Sequence, residues 1–260
     1  MKVVIITGGS SGIGRAAALL FAERGWQVYE LSRHVGSLAT TVSHIACDVT
    51  DPLACEQAVH RVMEAEGHID VLISNAGMGI SGPLEFTSPE DAHRLMDVNV
   101  HGAMNIVQVV LPHMRARHSG RIILVGSVAG VFGIPYQGWY SASKAALHSL
   151  AAALRIEVRE HGISVCCLMP GDVRTGFTAA REKSAVGVDV YPHAQRSVEI
   201  MERDEQHGLS PQTIACQLWR LANSRHVSLN HVAGWQYKLL CLANRFVPAS
   251  IVNRVVGWLY

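Results

Sequence analysis

A glycine-rich turn near the N-terminus constrains the fold of this chain more than any other feature. Residues 3–7, VVIIT, form an apolar run of the kind found in strands that are buried on both faces. The next residues, GGSSGIG (8–14), lead directly into a segment over 13–24 with alanine and leucine at helical spacing. A strand, a glycine turn and a helix in this order predict the opening of a βαβ unit, whose strands run parallel.

The same alternation of strand-like and helix-like segments continues along the chain. We predict one doubly wound α/β domain over residues 1–260, in which helices cover both faces of a parallel sheet. A less regular substrate-loop region is expected around 176–209, before a last helix and strand. Helix starts are predicted where Asp or Ser precedes Pro, at 51–52, 88–89 and 210–211. Further strands are predicted over 28–32, 42–47, 69–74, 121–126 and 163–169, and long helices over 102–117 and 140–160.

Composition narrows the class of protein. The 260 residues are 49% hydrophobic and 17% charged, which is typical of a globular domain and not of a disordered chain. The formal net charge of +1 gives no indication of a nucleic-acid partner. Six cysteines without a CxxC pair, and 14 histidines without HExxH spacing, predict free thiols and no metal site. With neither a signal peptide nor a membrane-spanning stretch, we expect a cytoplasmic protein.

Small and polar residues follow the predicted strands, at the edge where such sheets bind their ligands. Strand three is followed by Asp48-Val49, strand four by Asn75-Ala76-Gly77, strand five by Ser127 and strand six by Pro170-Gly171. At the first strand, the glycines allow the backbone to approach a pyrophosphate, and the helix N-terminus attracts its charge. An ordinary βα turn would explain the glycines alone. The whole pattern instead predicts a bound dinucleotide.

Tyr140 and Lys144 lie four residues apart, on one face of a predicted helix. An ammonium close to a phenol favours the phenolate, which lowers a pKa that starts near ~10. A tyrosine with such a pKa can act as general acid or base near neutral pH. Ser127, at a neighbouring strand end, could donate a hydrogen bond to the oxygen of a substrate. A lone YxxxK is usually only a helix face, so the prediction depends on the other motifs.

Taken together, these motifs resemble the short-chain dehydrogenase/reductase family. The resemblance covers the chain up to Thr175 and implies a Rossmann-like fold and a catalytic set of Asn99, Ser127, Tyr140 and Lys144. Ser74 replaces the asparagine that often precedes NAG in the family. The matching elements are TGGSSGIG (7–14), Asp48, SNAG (74–77), Asn99 in VNVHG, Ser127, YSASK (140–144) and PGDVRT (170–175).

The resemblance also implies a role for each site residue. Tyr140 would transfer the proton, Ser127 would stabilise the reacting oxygen, and Lys144 would bind the nicotinamide ribose. Asn99 would hold a water that links Lys144 to solvent. The predicted cofactor-binding residues are Gly8, Ser10, Ser11, Gly12, Ile13, Gly14, Ser32, Arg33, Asp48, Val49, Asn75, Ala76, Gly77, Tyr140, Lys144, Pro170, Gly171, Val173 and Thr175.

The end of strand two predicts NADP(H) over NAD(H). An acidic residue there would bind the adenosine ribose 2′-hydroxyl and repel a 2′-phosphate. The position is occupied by Ser32, and the guanidinium of Arg33 could pair with a phosphate. Glu30, which lies on the same strand face as Ser32, argues in the other direction. A solvated surface charge is the simplest alternative for Arg33.

The substrate is predicted to be a hydrophobic ketone or secondary alcohol, such as a lipid or a steroid. Several of the candidate pocket residues could instead only pack a loop against the domain. The candidates are Met78, Ile80, Val131, Phe132, Ile134, Pro135, Phe177, Val186, Val188 and Tyr191.

Residues 235–260 form an amphipathic segment that Pro248 divides into two short helices. They could lie on a membrane or close over an apolar substrate. We expect them instead to pack against the core or a second subunit, and we expect no membrane association. By the resemblance, the protein would be a homodimer or homotetramer.

Two other classes of function are compatible with the fold. One is a cofactor-binding sensor without turnover, which would be expected to lack the tyrosine or the lysine. The other is a lyase or epimerase, which tends to be longer and to space its glycine turn differently. Because Ser127, Tyr140 and Lys144 are all present, an oxidoreductase is the favoured interpretation.

Overall fold

The computed structural model describes residues 1–36, 39–184, 186–187 and 189–260. Within them, the strands are β1 (Val3–Thr7), β2 (Gln27–Ser32), β3 (Val42–Ala46), β4 (Val71–Ser74), β5 (Ile80–Ser81), β6 (Gly120–Val125), β7 (Ile163–Pro170), β8 (Glu182–Lys183) and β9 (Asn230–Ala233). Seven of these strands form one sheet in the order β3-β2-β1-β4-β6-β7-β9, and every neighbouring pair is parallel. The predicted parallel sheet is confirmed.

Helices separate most of the strands. The α-helices are α1 (Gly12–Glu23), α2 (Pro52–Glu66), α3 (Pro89–Met96), α4 (Gly102–Ala116), α5 (Gly138–Glu157), α6 (Phe177–Ala180), α7 (Ala194–Gln206), α8 (Pro211–Asn223), α9 (Trp235–Ala243) and α10 (Ala249–Leu259). A π-helical turn, Asp97–His101, joins α3 to α4. The predicted helix starts are confirmed, because side chains of Asp51, Ser88 and Ser210 accept hydrogen bonds from the first turns of α2, α3 and α8.

The core lies in two layers, one on each face of the sheet. In β1, Val3 and Ile5 face a layer that contains residues of α2, α4 and α5. Val4 and Ile6 face the opposite layer, which contains residues of α1 and α8. Because successive strand residues point to opposite faces, a fully apolar strand must be covered on both sides. This arrangement confirms the single doubly wound, Rossmann-like domain.

The region around 176–209 is more regular than predicted. It contains α6, α7 and the short strand β8, which pairs with β5. The buried side chains of α7 are Ala194, Ser197 and Met201. Their spacing of three and four residues is helical, but the charged residues between them concealed it. The expectation of an irregular segment was therefore wrong for residues 194–206.

Residues 235–260 form two helices that are separated at Pro248, as predicted. Neither helix contains a buried residue, and Phe246 and Trp258 are 81% and 89% exposed. The expectation of packing against the core was wrong for these most exposed side chains, although Cys241 does contact the core. Packing against a second subunit stays a prediction. Among the described residues, no helix combines the length and apolarity needed to cross a bilayer.

Candidate active site

The carboxyl ends of the sheet strands open into a cavity of about 880 Å³. This volume lies within the range of ordinary ligand sites. Of the residues predicted for the site, Gly14 and Asn99 do not line the cavity. The predicted residues that line it are Gly8, Ser10, Ser11, Gly12, Ile13, Ser32, Arg33, Asp48, Val49, Asn75, Ala76, Gly77, Ser127, Tyr140, Lys144, Pro170, Gly171, Val173 and Thr175.

The glycine turn closes one end of this cavity. Gly8 and Gly12 have φ angles of +65° and +53°, which L side chains rarely adopt. A Cβ on Gly14 would overlap the Gly8 carbonyl oxygen and lie 2.6 Å from Asn75 Nδ2. Asn75 Nδ2 also donates to the Thr7 carbonyl oxygen at 3.0 Å, joining the ends of β4 and β1. Gly14 therefore supports the turn from behind and does not line the cavity.

Glu30 is buried beneath the glycine turn and does not line the cavity. Its Oε2 lies 2.6 Å from Nδ1 of His44 on β3. A Cβ on Gly9 would overlap the Glu30 side chain, so the turn packs directly onto this carboxylate. Glu30, the residue that would disfavour NADP(H), is thus separated from the cavity by the backbone of the glycine turn.

The exposed guanidinium of Arg33 and the carboxylate of Asp48 lie at the same end of the cavity. Burial raises the pKa of Asp48, but hydrogen bonds from Thr50 and the charge of Arg33 outweigh it, and the pKa is lowered. The Thr50 bonds, from the amide and the hydroxyl, are 2.9 and 2.8 Å long. Asp48 is therefore held as an anion, and the exposed side chain of Arg33 lines the cavity near it.

Tyr140, Ser127 and Lys144 meet in the middle of the cavity. Tyr140 and Lys144 lie one turn apart on α5, and the Lys144 ammonium is 5.7 Å from the centre of the Tyr140 ring. Lys144 Nζ donates to the Val125 carbonyl oxygen at 3.1 Å. Ser127 lies two residues after β6, where its Oγ accepts from the Ala129 amide at 3.1 Å, and it is close enough to Tyr140 to act on the pKa of the phenol. The geometry brings together the three side chains that the sequence predicted to act together.

The pKa values of this set differ from the prediction. Burial raises the pKa of Tyr140 to about 12, although the hydrogen bond from Ser127 opposes the rise. Burial also lowers the pKa of Lys144 to about 8, so near that pH only part of it carries the charge that would stabilise a phenolate. The expectation of a lowered Tyr140 pKa was therefore wrong, because burial is the largest cause and raises it.

Asn99 lies in the π-helical turn and is fully buried. Its Oδ1 accepts from the Met78 amide at 2.8 Å, and its Nδ2 donates to the Met78 carbonyl and to Ser143 Oγ, both at 3.0 Å. The side chain thus joins the loop after β4 to α5, next to Lys144. The water that it was predicted to hold stays a prediction.

His148 is a site residue that the sequence analysis missed. It lies one turn after Lys144 on α5, and Gly126 and Gly130 pack onto its ring. Burial and the charge of Lys144 lower the pKa of His148 to about 4. The neutral ring supports the backbone on either side of Ser127. Its spacing of four residues from Lys144 was the available signal.

The other end of the cavity carries a polar cluster that had no local signal in the sequence. The Tyr237 hydroxyl donates to Asp172, and Glu205 pairs with Arg181, whose side chain is 1% exposed. Asp172, Glu205, Tyr237 and Tyr260 all line the cavity. These four residues are separated by 23 to 88 positions, so only the fold brings them together.

A comparison with known families accounts for this geometry. A family model described as short chain dehydrogenase matches residues 2–185. The chain belongs to the short-chain dehydrogenase/reductase family. Its members are oxidoreductases that act on CH–OH groups with a nicotinamide cofactor, and this short-chain dehydrogenase/reductase is therefore such an enzyme.

Individual relatives cover almost the whole enzyme. It is 39% identical to a 3-ketodihydrosphingosine reductase of Bacteroides thetaiotaomicron over 85% of this chain and 83% of that protein. It is 30% identical to the probable short-chain type dehydrogenase/reductase VdlC of Helicobacter pylori, over 95% of this chain and 94% of the relative. The solved structure of a short-chain dehydrogenase from Streptomyces avermitilis superposes with a TM-score of 0.83 at 28% identity, covering 99% and 95% of the two chains.

The residues present fit NAD(P). The glycine turn lines the cavity, and Thr175 lies beside it, with its Cβ 3.4 Å from where a Gly12 Cβ would stand. The enzyme's own residues would hold the dinucleotide between the glycine turn, Asp48 and Thr175, with Lys144 close to the reacting end. That placement follows the chemistry of these side chains and the edge of the sheet.

The predicted substrate pocket was only partly correct. Met78, Ile134 and Phe177 line the cavity, and the Phe177 ring lies 5.8 Å from the Tyr140 ring. Tyr191 is directed elsewhere, since its ring packs near Phe86 and its hydroxyl donates to Glu85. Val188 lies outside the described residues. The candidates that do not line the cavity are Ile80, Val131, Phe132, Pro135, Val186 and Tyr191.

Proposed function

We propose that this enzyme is an NADP(H)-dependent ketone reductase in which Tyr140 donates the proton. The observation that carries the proposal is the convergence of Tyr140, Ser127 and Lys144 in one cavity. When bound, the cofactor supplies the hydride. The Tyr140 hydroxyl donates its proton to the carbonyl oxygen, and Ser127 donates a hydrogen bond to the same oxygen. Burial raises the pKa of Tyr140, which keeps the phenol protonated at neutral pH, the form that can donate the proton.

The preference for NADP(H) rests on Arg33 and Ser32. Arg33 is a cation at the end of β2 with room for a phosphate, and the carboxylate of Glu30 is buried away from the cavity. We expect a higher kcat/KM for NADPH than for NADH. Arg33→Ala should reduce that preference by roughly 10- to 100-fold, as for loss of one charge-assisted hydrogen bond. Arg159→Ala, an exposed change at the far end of α5, is the control. Equal efficiency with both cofactors in the unchanged enzyme would contradict the preference.

For the substrate, we propose an aliphatic ketone that carries an ammonium group. Met78, Ile134 and Phe177 give the cavity apolar walls, and Asp172 and Glu205 add two carboxylates against the single guanidinium of Arg181. The net negative charge complements an ammonium. The similarity to a 3-ketodihydrosphingosine reductase supports this class of substrate, because 3-ketodihydrosphingosine is a long-chain ketone with a neighbouring amine.

The test follows NADPH oxidation at 340 nm with three long-chain ketones: 3-ketodihydrosphingosine, its N-acetyl derivative and a plain ketone of equal length. We expect the amine to be reduced best. Asp172→Asn should raise KM for the amine by roughly 10- to 100-fold and leave the two neutral ketones nearly unchanged. Equal use of all three would contradict the ammonium site. Binding of NADPH without turnover of any ketone or alcohol would favour the sensor.

We also propose that the enzyme works as a homodimer or homotetramer in the cytoplasm. Four of its thiols, those of Cys47, Cys55, Cys166 and Cys167, are buried and form no disulfide bonds, which suits a reducing compartment. Light scattering of the purified chain tests the assembly, with a monomer at micromolar concentration as the contrary result. Cell fractionation tests the compartment.

A further inference from the structure

We propose that residues 235–260, the C-terminal helix pair, dock on the surface of an anionic lipid bilayer. The pair consists of α9, α10 and the turn between them. The proposal goes beyond the reductase activity and does not depend on it.

The first observation is the extent of exposed apolar surface on the C-terminal helix pair. Single exposed apolar side chains are normal on soluble proteins, but a contiguous set marks a binding surface. Here nine large apolar side chains in 26 residues are at least half exposed. They are Trp235, Leu239, Leu240, Leu242, Phe246, Ile251, Val255, Trp258 and Leu259.

The second observation is the charge of the same segment. Lys238, Arg245 and Arg254 are all exposed, and residues 235–260 contain no Asp or Glu. The other 234 residues hold 19 Lys and Arg against all 21 acids, so the cationic excess is confined to this segment. Apolar side chains mixed with cations match an anionic bilayer surface, where lipid tails receive the former and headgroups the latter. A second copy would bring like charges together, which disfavours self-association here.

The third observation is that the fold holds the helix pair in place. The Tyr237 hydroxyl donates to Asp172, and the Tyr237 ring packs on the Cα of Gly171. At the other end, the Tyr260 carbonyl oxygen accepts from Ser197 Oγ. Helices of 9 and 11 residues are too short to span a bilayer, so they would lie in its interface.

The position of the helix pair gives the docking a consequence for catalysis. Tyr237 and Tyr260 line the cavity, so the helix pair borders the site of Tyr140. An apolar substrate dissolved in the bilayer would then enter without crossing water. The proposal departs from the expectation of no membrane association, which assumed that these side chains were covered.

Co-sedimentation of the full chain with phosphatidylcholine vesicles, with and without phosphatidylglycerol, tests the docking. We expect binding to the anionic vesicles that weakens as salt is added. Two triple variants with the same net charge separate a local from a global effect. The test variant is Lys238→Glu/Arg245→Glu/Arg254→Glu, and the control, on exposed residues of other helices, is Arg61→Glu/Arg115→Glu/Arg220→Glu.

The test variant should bind anionic vesicles at least roughly 100-fold more weakly than the unchanged protein, from the loss of three interfacial cations. The control should retain most of the binding. A double variant of two exposed apolar residues, Phe246→Ser/Trp258→Ser, should also lose binding to anionic vesicles. The matched control, Leu53→Ser/Ile156→Ser, should retain it. Circular dichroism and NADPH binding check that each variant is folded.

Three results would overturn the proposal: no sedimentation with either vesicle at low salt, equal binding to both, or equal losses in the two triple variants. A dimer in light scattering that Phe246→Ser/Trp258→Ser converts to monomer, without vesicle binding, would assign the surface to a second copy instead.

Discussion

The region up to Thr175 and the region after it contribute to the same cavity in different ways. The first supplies groups that lie directly after strands, such as the glycine turn, Asn75 and Ser127. The second supplies Glu205, Tyr237 and Tyr260, which reach the cavity from helices and from the chain end. Backbone geometry at a strand end is set by local sequence, whereas the second region is positioned by side-chain contacts over long separations. All of the predicted cofactor-binding residues lie in the first region, and the second adds Phe177 and Glu205 to the residues proposed for the substrate.

The strongest test of this contrast removes the proton donor of the first region. Tyr140→Phe keeps the ring and removes the hydroxyl, so kcat should fall by roughly 10²- to 10⁴-fold while NADPH binding is retained. Steady-state kinetics and fluorescence titration of NADPH measure the two quantities. Tyr191→Phe, whose hydroxyl bonds to Glu85 outside the cavity, is the control and should stay near full activity. Similar losses in both variants would contradict the role of Tyr140.

The next test concerns the backbone of the glycine turn. Gly14→Ala places a methyl group against the Gly8 carbonyl and Asn75, so the free energy of unfolding should fall by about 1–3 kcal/mol. KM for NADPH should rise as the turn shifts. Gly133→Ala, where nothing lies within 4 Å of the added carbon, should be close to neutral. Urea denaturation of the two variants gives the comparison, and an unaffected Gly14→Ala would show that the turn adapts.

His148 gives a smaller and pH-dependent effect. Its pKa of about 4 lies below the ordinary value of 6.5, so between those pH values the unfolded chain binds a proton that the native protein does not. Stability should therefore rise with pH across this window and be lost as pH falls through it. His148→Gln cannot titrate and should flatten the change in urea midpoint. His60→Gln, at an exposed position, should leave this pH dependence unchanged. Parallel plots of urea midpoint against pH for the unchanged protein and both variants would refute the role of His148.

The smallest effect is expected in the C-terminal helix pair. Trp258→Ser should change the free energy of unfolding by less than about 0.5 kcal/mol, because the side chain is 89% exposed. Phe21→Ala, in the core of the first region, should cost about 3–5 kcal/mol. Thermal melts in the absence of lipid measure both. A large loss for Trp258→Ser would mean that another surface covers this side chain in solution.

The same contrast explains what the sequence could predict. The strand-end residues were found because strands, caps and glycine turns have local signatures, and the cavity collects nearly all of them. The burial of Glu30 was not predictable, since it depends on His44 of the adjacent strand and on the turn packed above it. The helix α7 was missed because its buried face is narrow and includes Ser197.

The pKa of Tyr140 was predicted in the wrong direction for a related reason. Helical spacing gives the proximity of Lys144, but not the desolvation of both groups. Desolvation depends on every surrounding element, and here it is the largest cause of the raised pKa of Tyr140. Likewise, Tyr237 reaches Asp172 across 65 positions, a pairing that no spacing rule could indicate.

The strand order has a consequence for how the chain folds. The strand β1 pairs on one edge with its sequence neighbour β2 and on the other with the distant strand β4, where Val4 lies opposite Val71. Closing the long loop between β1 and β4 is slow, and parallel pairing of distant strands raises the contact order of the fold. The site lies where β1 and β4 pair, so neither half of the sheet can bind the dinucleotide alone. In refolding, recovery of cofactor binding should lag behind recovery of the helical circular dichroism signal. A saturating concentration of cofactor should stabilise the state that the last folding step produces.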